Sequence, residues 1–211
     1  MASTDSHGRA EHGDAYRPCD MTAASDAAAA ADLDDHLDLG HGLRVRVRAL
    51  RRNEEAPIRA LDRQLSVRTR HLRFFTPFQS IPDNLVRRLA SVDSCRNIAV
   101  VAEHDGREDT PIALASFCAV TDDMAEVALV VRDDYQRRGV GTALCGFLLS
   151  AAERRGFHRF TASMTIDNVA IRRMLNRFGH VLESTTRRGV REVVFICPGS
   201  SRSGASQAAR R

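Results

Sequence analysis

Gln136-Arg137-Arg138-Gly139-Val140-Gly141 separates two apolar runs of different character. Before it, Glu126-Val127-Ala128-Leu129-Val130-Val131 is short and rich in β-branched residues, so it reads as a strand. After it, Thr142-Ala143-Leu144-Cys145-Gly146-Phe147-Leu148-Leu149 reads as a helix. A strand, a glycine turn and a helix in this order leave unpaired amide N–H groups at the positive end of the helix dipole. Such an end binds anions, and glycines without a Cβ let a bulky phosphate approach the backbone. Gln136 to Thr142 is therefore a candidate diphosphate site, the alternative being a glycine-rich turn without a ligand.

The pattern continues on both sides. Leu43 to Leu50 alternates apolar and charged residues and predicts a half-exposed strand. Residues 57–72 have helical period, with Pro57 in the first turn. A second helix is expected after Pro82. Asn97–Ala102, Pro111–Val120 and Met124–Val131 predict a meander, its first turn at Asp105-Gly106. Beyond the loop, the helix from Thr142 is expected to end at Gly156. A strand at 160–165, a helix at 169–178 closed by Gly179, and strands at 180–184 and 190–196 complete the series.

The chain has 211 residues and a net charge of +4, enough for one domain with tails. Residues 1–40 sum to −7 and the remaining 171 to +11. The first segment is expected to be a disordered acidic tail, 41–197 a single domain, and 198–211 a flexible basic tail. The basic domain suits a polyanionic ligand. All 31 basic residues are arginine and none is lysine. No run approaches the ~18 apolar residues of a membrane span, and no signal pattern opens the chain. Five scattered cysteines with no Cys-x-x-Cys pair read as reduced thiols, Cys145 most simply as an inert packing residue. A cytoplasmic location is expected, as a monomer or homodimer, with no membrane or nucleic-acid partner and no metal.

Glu126 is a lone carboxylate in an apolar strand and shares a face with Ala128 and Val130. It is a candidate general base whose pKa burial would raise, or a glutamate that faces solvent or pairs with a nearby arginine. Arg70, Arg73, Phe74 and Phe75 either line an acceptor cleft or form core with snorkelling arginines. Asp167 or Asn168 is a natural N-cap for the following helix.

The hexapeptide resembles the acyl-CoA pyrophosphate loop of the GNAT N-acetyltransferases, Gln/Arg-x-x-Gly-x-Gly/Ala, and the element order resembles theirs over residues 43–197. Two stretches are similar to the GNAT domain of Pat-type bacterial protein lysine acetyltransferases. One is Ala125-Glu126-Val127-Ala128. The other is Arg70-His71-Leu72-Arg73-Phe74-Phe75-Thr76-Pro77, which matches an Arg-Tyr-Leu-Arg-Phe-Phe-Ser-Pro segment. The resemblance implies an α/β fold with a central mixed sheet flanked by helices on both faces. It implies acetyl-CoA as acyl-donor co-substrate. The loop residues Gln136, Arg137, Arg138, Gly139, Val140, Gly141 and Thr142 would hold the diphosphate. The backbone of Leu129, Val130 and Val131 would hold the pantetheine, and Asn168 the cofactor arm. Glu126 would be the general base, and a strand amide near Val130 would stabilise the oxyanion. The acceptor it implies is a protein lysine, met by Arg70, Arg73, Phe74 and Phe75. The alternatives are a small-molecule amine, or a regulatory module that binds acyl-CoA without chemistry. Many GNATs place a tyrosine acid where this chain has Leu175, so the general acid is left unassigned.

Overall fold

The structure is a computed structural model and describes residues 32–198, except 41, 77, 94 and 107–109. Its strands are β1 (Asp35–Asp38), β2 (Arg44–Ala49), β3 (Asn97–His104), β4 (Pro111–Ala119), β5 (Met124–Val131), β6 (Arg159–Thr165), β7 (His180–Arg187) and β8 (Val190–Ile196). Three helices, α1 (Ala56–Asp62), α2 (Val67–Phe74) and α3 (Asp83–Ala90), lie between β2 and β3. A 3-10 turn (Asp133–Tyr135) and α4 (Val140–Glu153) follow β5, and α5 (Val169–Phe178) follows β6. The strands form one sheet in the order β1-β2-β3-β4-β5-β6-β8-β7. The β5–β6 pair is parallel and every other neighbour is antiparallel.

The two-residue period of the strands builds a core on each face. Val45, Val47, Ile98, Val100, Ala113, Ala115 and Phe117 pack with Leu144 and Leu148 of α4 and Leu175 of α5. On the opposite face, Ala99, Leu114 and Val130 pack with Ile58 and Leu61 of α1 and Val86 and Ala90 of α3. This is the mixed sheet with helices on both faces that the sequence implies.

Four details differ from the sequence reading. The sheet begins inside the segment expected to be tail, because β1 pairs with β2 and Leu33 is 2% exposed in the core. The acidic β1 region suits its basic neighbour: Asp34 takes two hydrogen bonds from Arg46, at 3.2 and 3.0 Å, which hold its carboxyl below the usual range. Residues 1–31 and 199–211 of the expected tails lie outside the described residues. The single helix expected at 57–72 is two. Ser66 restarts it by accepting the Thr69 amide at 3.1 Å, the ordinary N-cap bond. Gly179 adopts an extended φ of −152°, so it is no left-handed cap. A Cβ there would lie 2.6 Å from Phe195 and 2.8 Å from the Ile196 carbonyl, so close approach requires the glycine. Finally, Cys118, Cys145 and Cys197 are free thiols but Cys95 is disulfide-bonded, which corrects the expectation of five reduced thiols.

Arg70, expected at the acceptor site, is part of the frame instead. Its Nε donates to Asp62 Oδ1 at 2.6 Å and its Nη2 to the Asp62 carbonyl at 2.5 Å. The second Asp62 oxygen accepts the Ile81 amide at 3.0 Å. Both side chains are buried, so the pair joins α1, α2 and the start of α3 without facing any cleft. No helix among the described residues is long and apolar enough to cross a membrane.

Removing one member of a buried pair strands the other charge. Asp62→Ala is expected to lower the unfolding free energy by about 3 kcal/mol, read by urea denaturation. A loss within experimental error would show that the pair adds nothing to the frame.

Candidate active site

Strands β5 and β6 keep register for three residues: Met124 with Arg159, Ala125 with Phe160, and Glu126 with Thr161. Beyond Glu126 the pairing stops, whereas β5 stays paired with β4 as far as Val131. The strands part, and a cavity of about 330 Å³ occupies the gap. It is lined from one face of the sheet by Thr69, Leu72, Arg73, Phe75 and Glu126. From the other it is lined by Gly139, Gly141, Thr142, Cys145, Leu148 and Ile171, so the opening runs through the sheet.

The phase of the β4–β5 ladder decides which backbone groups face this gap. The Val120 amide donates to the Met124 carbonyl and the Arg132 amide to the Ile112 carbonyl, both at 2.8 Å. Antiparallel pairs exchange both bonds at every second residue. Glu126, Ala128 and Val130 therefore turn their backbone toward β4, and Val127, Leu129 and Val131 turn theirs toward the gap. This corrects the assignment of backbone contacts to Val130, whose side chain is also in the α1–α3 core. Both groups of Leu129 and the amide of Val131 are open; the Val131 carbonyl accepts Gln136 Nε2 at 3.0 Å.

At the gap's other end, the loop leads into α4. Gly139 is its N-cap with φ +86°, and no side chain caps the helix. The first helical amides, at Val140, Gly141 and Thr142, have no intrahelical acceptors by geometry. Gly139, Gly141, Thr142 and Arg137 line the cavity. Val140 is 2% exposed and holds the helix start in the core. Arg138 is outside the cavity lining, and its guanidinium sits over the Tyr135 ring at 5.5 Å.

Gln136 lines the cavity, but its amide is engaged in the frame: Nε2 donates to Thr69 Oγ1 at 3.1 Å and to the Val131 carbonyl at 3.0 Å. Asp133 beside it accepts the Ser66 amide at 2.9 Å, the Ser66 hydroxyl at 2.7 Å and the Thr69 hydroxyl at 2.8 Å. Burial works to raise the Asp133 carboxyl, but these hydrogen bonds outweigh it and hold it below its ordinary 3.8. The N-terminus of α2 is thereby latched to the anion loop. Sequence reasoning missed this latch, although Ser66-x-x-Thr69 is a legible cap signal.

On the acceptor side, Glu126 is exposed at the cavity wall and makes no ion pair among the described residues. This differs from the buried carboxylate expected. Arg73 and Phe75 line the cavity, whereas Phe74 packs against the α1–α3 core, a correction to its expected role. Burial pushes the Arg73 guanidinium down and the Glu126 charge opposes it. Asn168 lines the cavity and also caps α5, its Oδ1 accepting the Ile171 amide at 3.2 Å. Leu72, Ser163, Met174 and Leu175 are among the lining residues that the sequence did not single out as a site. Burial pushes the Cys145 thiol up to about 12, so it is an inert wall of the cavity. The Tyr135 hydroxyl lies 2.7 Å from His104 Nδ1, and Tyr135 is not part of the cavity lining. Among the described residues, no three His, Cys, Asp or Glu side chains group as metal ligands would.

Comparison with known proteins gives the family to which this split sheet belongs. The Acetyltransferase (GNAT) family matches residues 65–180, more than half of the chain, and the chain belongs to this family. Acetyl-CoA is the acyl donor of the family. The chain is 48% identical over 58 residues to acetyltransferase Pat of Mycolicibacterium smegmatis, a stretch covering 28% of this chain and 17% of that protein. Its structure is similar to the GNAT domain of S. lividans PAT, with a TM-score of 0.70 and 24% identity, covering 79% of this chain and 98% of that one. It is also similar to a cAMP-binding acyltransferase from Mycobacterium smegmatis, with a TM-score of 0.54 and 26% identity over 83% of this chain. The chain spans about half of that protein, 52% of its length.

The latch carries a pH signature. A carboxyl held below its unfolded value contributes stability above that value and loses it as pH falls through the folded value. Asp133→Asn is expected to lower the melting temperature near pH 6, and the difference from wild type should shrink below about pH 4. A difference independent of pH in thermal melts would show that the Asp133 charge has no part in the latch.

Proposed function

We propose that the chain transfers the acetyl group of acetyl-CoA to an amine, with the side-chain amine of a protein lysine as acceptor and Glu126 as general base. The observation that carries this reading is the opening through the sheet, with the anion loop at one mouth and Glu126 at the other. The amides of Val140 to Thr142 face where a diphosphate would lie. The open amide and carbonyl of Leu129 and the open amide of Val131 suit the amides of a pantetheine arm threaded through the gap. Such an arm brings its thioester to the end of the paired segment, beside Glu126. The resemblance of Ala125-Glu126-Val127-Ala128 to Pat-type protein lysine acetyltransferases supports lysine as the acceptor.

The chemistry follows from the acceptor's charge. A lysine ammonium has a pKa of ~10.4, so at neutral pH it must lose a proton before it can attack. Glu126 is exposed at the cavity wall and free of ion pairs among the described residues, so it can reach a side chain arriving from outside. It takes that proton, and the amine nitrogen attacks the thioester carbon directly. The N–C bond forms, the C–S bond breaks, and the thiolate leaves and is reprotonated. The Leu129 amide, the open group on β5 nearer Glu126, would donate to the developing oxyanion.

Thiol release from acetyl-CoA with a lysine-bearing protein acceptor tests the reading. Glu126→Gln is expected to lower kcat by about 10²–10⁴-fold while CoA affinity is kept. The chain has no lysine, so acetyl-lysine formed in the assay comes from the acceptor alone. Unchanged kcat in Glu126→Gln would remove it as the base, and release with small amines alone would replace the acceptor class. Separately, Gly139→Val places a β-branched side chain at φ +86° and is expected to raise KM for acetyl-CoA at least tenfold. An unchanged KM would remove the loop from the donor site.

A further inference from the structure

Arg73 differs from the other arginines of the frame. Arg46 is paired with Asp34, Arg48 with Glu54 and Glu103, Arg70 with Asp62, and Arg132 with Asp134. Arg73 is half-buried, lines the cavity, and has no carboxylate within ion-pair distance among the described residues. Its guanidinium carbon stacks over the Phe74 ring at 4.9 Å. Stacking fixes the orientation of the planar group and leaves its N–H donors free. Exposed Arg88 of α3 is close enough to be felt by Arg73 and by Cys118, the cross-strand partner of Glu126. This end of the cavity therefore holds one carboxylate, Glu126, beside one arginine, Arg73, that lacks a carboxylate partner among the described residues. A desolvated cation without a partner is costly unless a ligand completes it.

We propose that Arg73 is a carboxylate-binding residue beside Glu126, and that one of the two reactants carries a carboxylate close to the reacting atoms. This rests on the acetyltransferase reading of the cleft. Glu126 takes the ammonium proton of the acceptor, and Arg73 takes the carboxylate through its planar fork. Two sources share this chemistry. One is an acidic residue flanking the acceptor lysine, and the other is the terminal carboxylate of a dicarboxylic acyl donor. The same geometry disfavours a lysine set among other basic residues, because Arg73 repels them.

The test is kcat/KM for thiol release by the full chain with two matched pairs of substrates. One pair is a peptide with its lysine flanked by Glu or by Gln; the other is succinyl-CoA or acetyl-CoA with the Gln peptide. In one pair the carboxylate-bearing member is expected to be preferred about tenfold, the factor of a single charge-assisted contact. Which pair shows it identifies the source. In Arg73→Gln that ratio falls to near one, and Arg73→Lys, which keeps the charge but loses the fork, retains part of it. Equal rates within both pairs, or a preference that survives Arg73→Gln, would overturn the inference. If the wild type releases no thiol with any acceptor, the acetyltransferase reading itself fails. Calorimetric affinities within the same two pairs then read the subsite directly, and equal affinities overturn it.

Discussion

Strands β5 and β6 share register from Met124 to Glu126 and then separate, and the rest of the site depends on that parting. A paired β5 would satisfy its own backbone and leave nothing for a ligand. Parted, it presents the amide and carbonyl of Leu129 and the amide of Val131 to the gap. An open strand edge is ordinarily a liability. Here the edge is covered in part by Gln136, which holds the Val131 carbonyl, and the unpaired stretch lies inside the molecule. The gap places the anion loop on one face of the sheet and Glu126 on the other, so two reactants can meet from opposite sides.

The second constraint is the tie between those sides. Ser66 and Thr69 at the start of α2 bond to Asp133 and Gln136 just before the loop. Helix α2 also supplies Leu72 and Arg73 to the acceptor wall, with Phe75 following as its left-handed cap. Donor loop and acceptor wall are thus one hydrogen-bonded unit. The buried Arg70–Asp62 pair anchors that unit to α1. In the proposed function α2 would bear the acceptor and the loop the donor, and the two are physically joined although 67 residues separate Thr69 from Gln136 in the chain.

Much of this was legible where local chemistry is decisive. Gly139 marks the loop because its left-handed backbone, at φ +86°, shows in residue type. The alternation of Val45 and Val47 with arginines marks β2, because burial on one face is a two-residue signal. Glu126 is legible as an anomaly, a charge inside an apolar strand. What the sequence did not show depends on partners distant in the chain. The role of Arg70 is set by Asp62 across a helix break, and from sequence it is indistinguishable from Arg73 three residues on. Acidic β1 looks like tail until the basic strand that accepts it is in view. The choice of Leu129 and Val131 over Val130 follows from ladder phase, which only the β4 pairing determines. The exposure of Glu126 likewise follows from where β6 turns away.

The central claim is that the gap between β5 and β6 receives the acyl donor through the backbone of β5 and the first turn of α4. Amide resonances of the full chain, followed by nuclear magnetic resonance during titration with coenzyme A, test it most directly. The account predicts the largest shifts and slowed hydrogen exchange at Leu129, Val131 and Val140 to Thr142, with Val130 little changed. Saturable shifts confined to residues outside the gap, with Leu129 and Val131 unmoved, would contradict it.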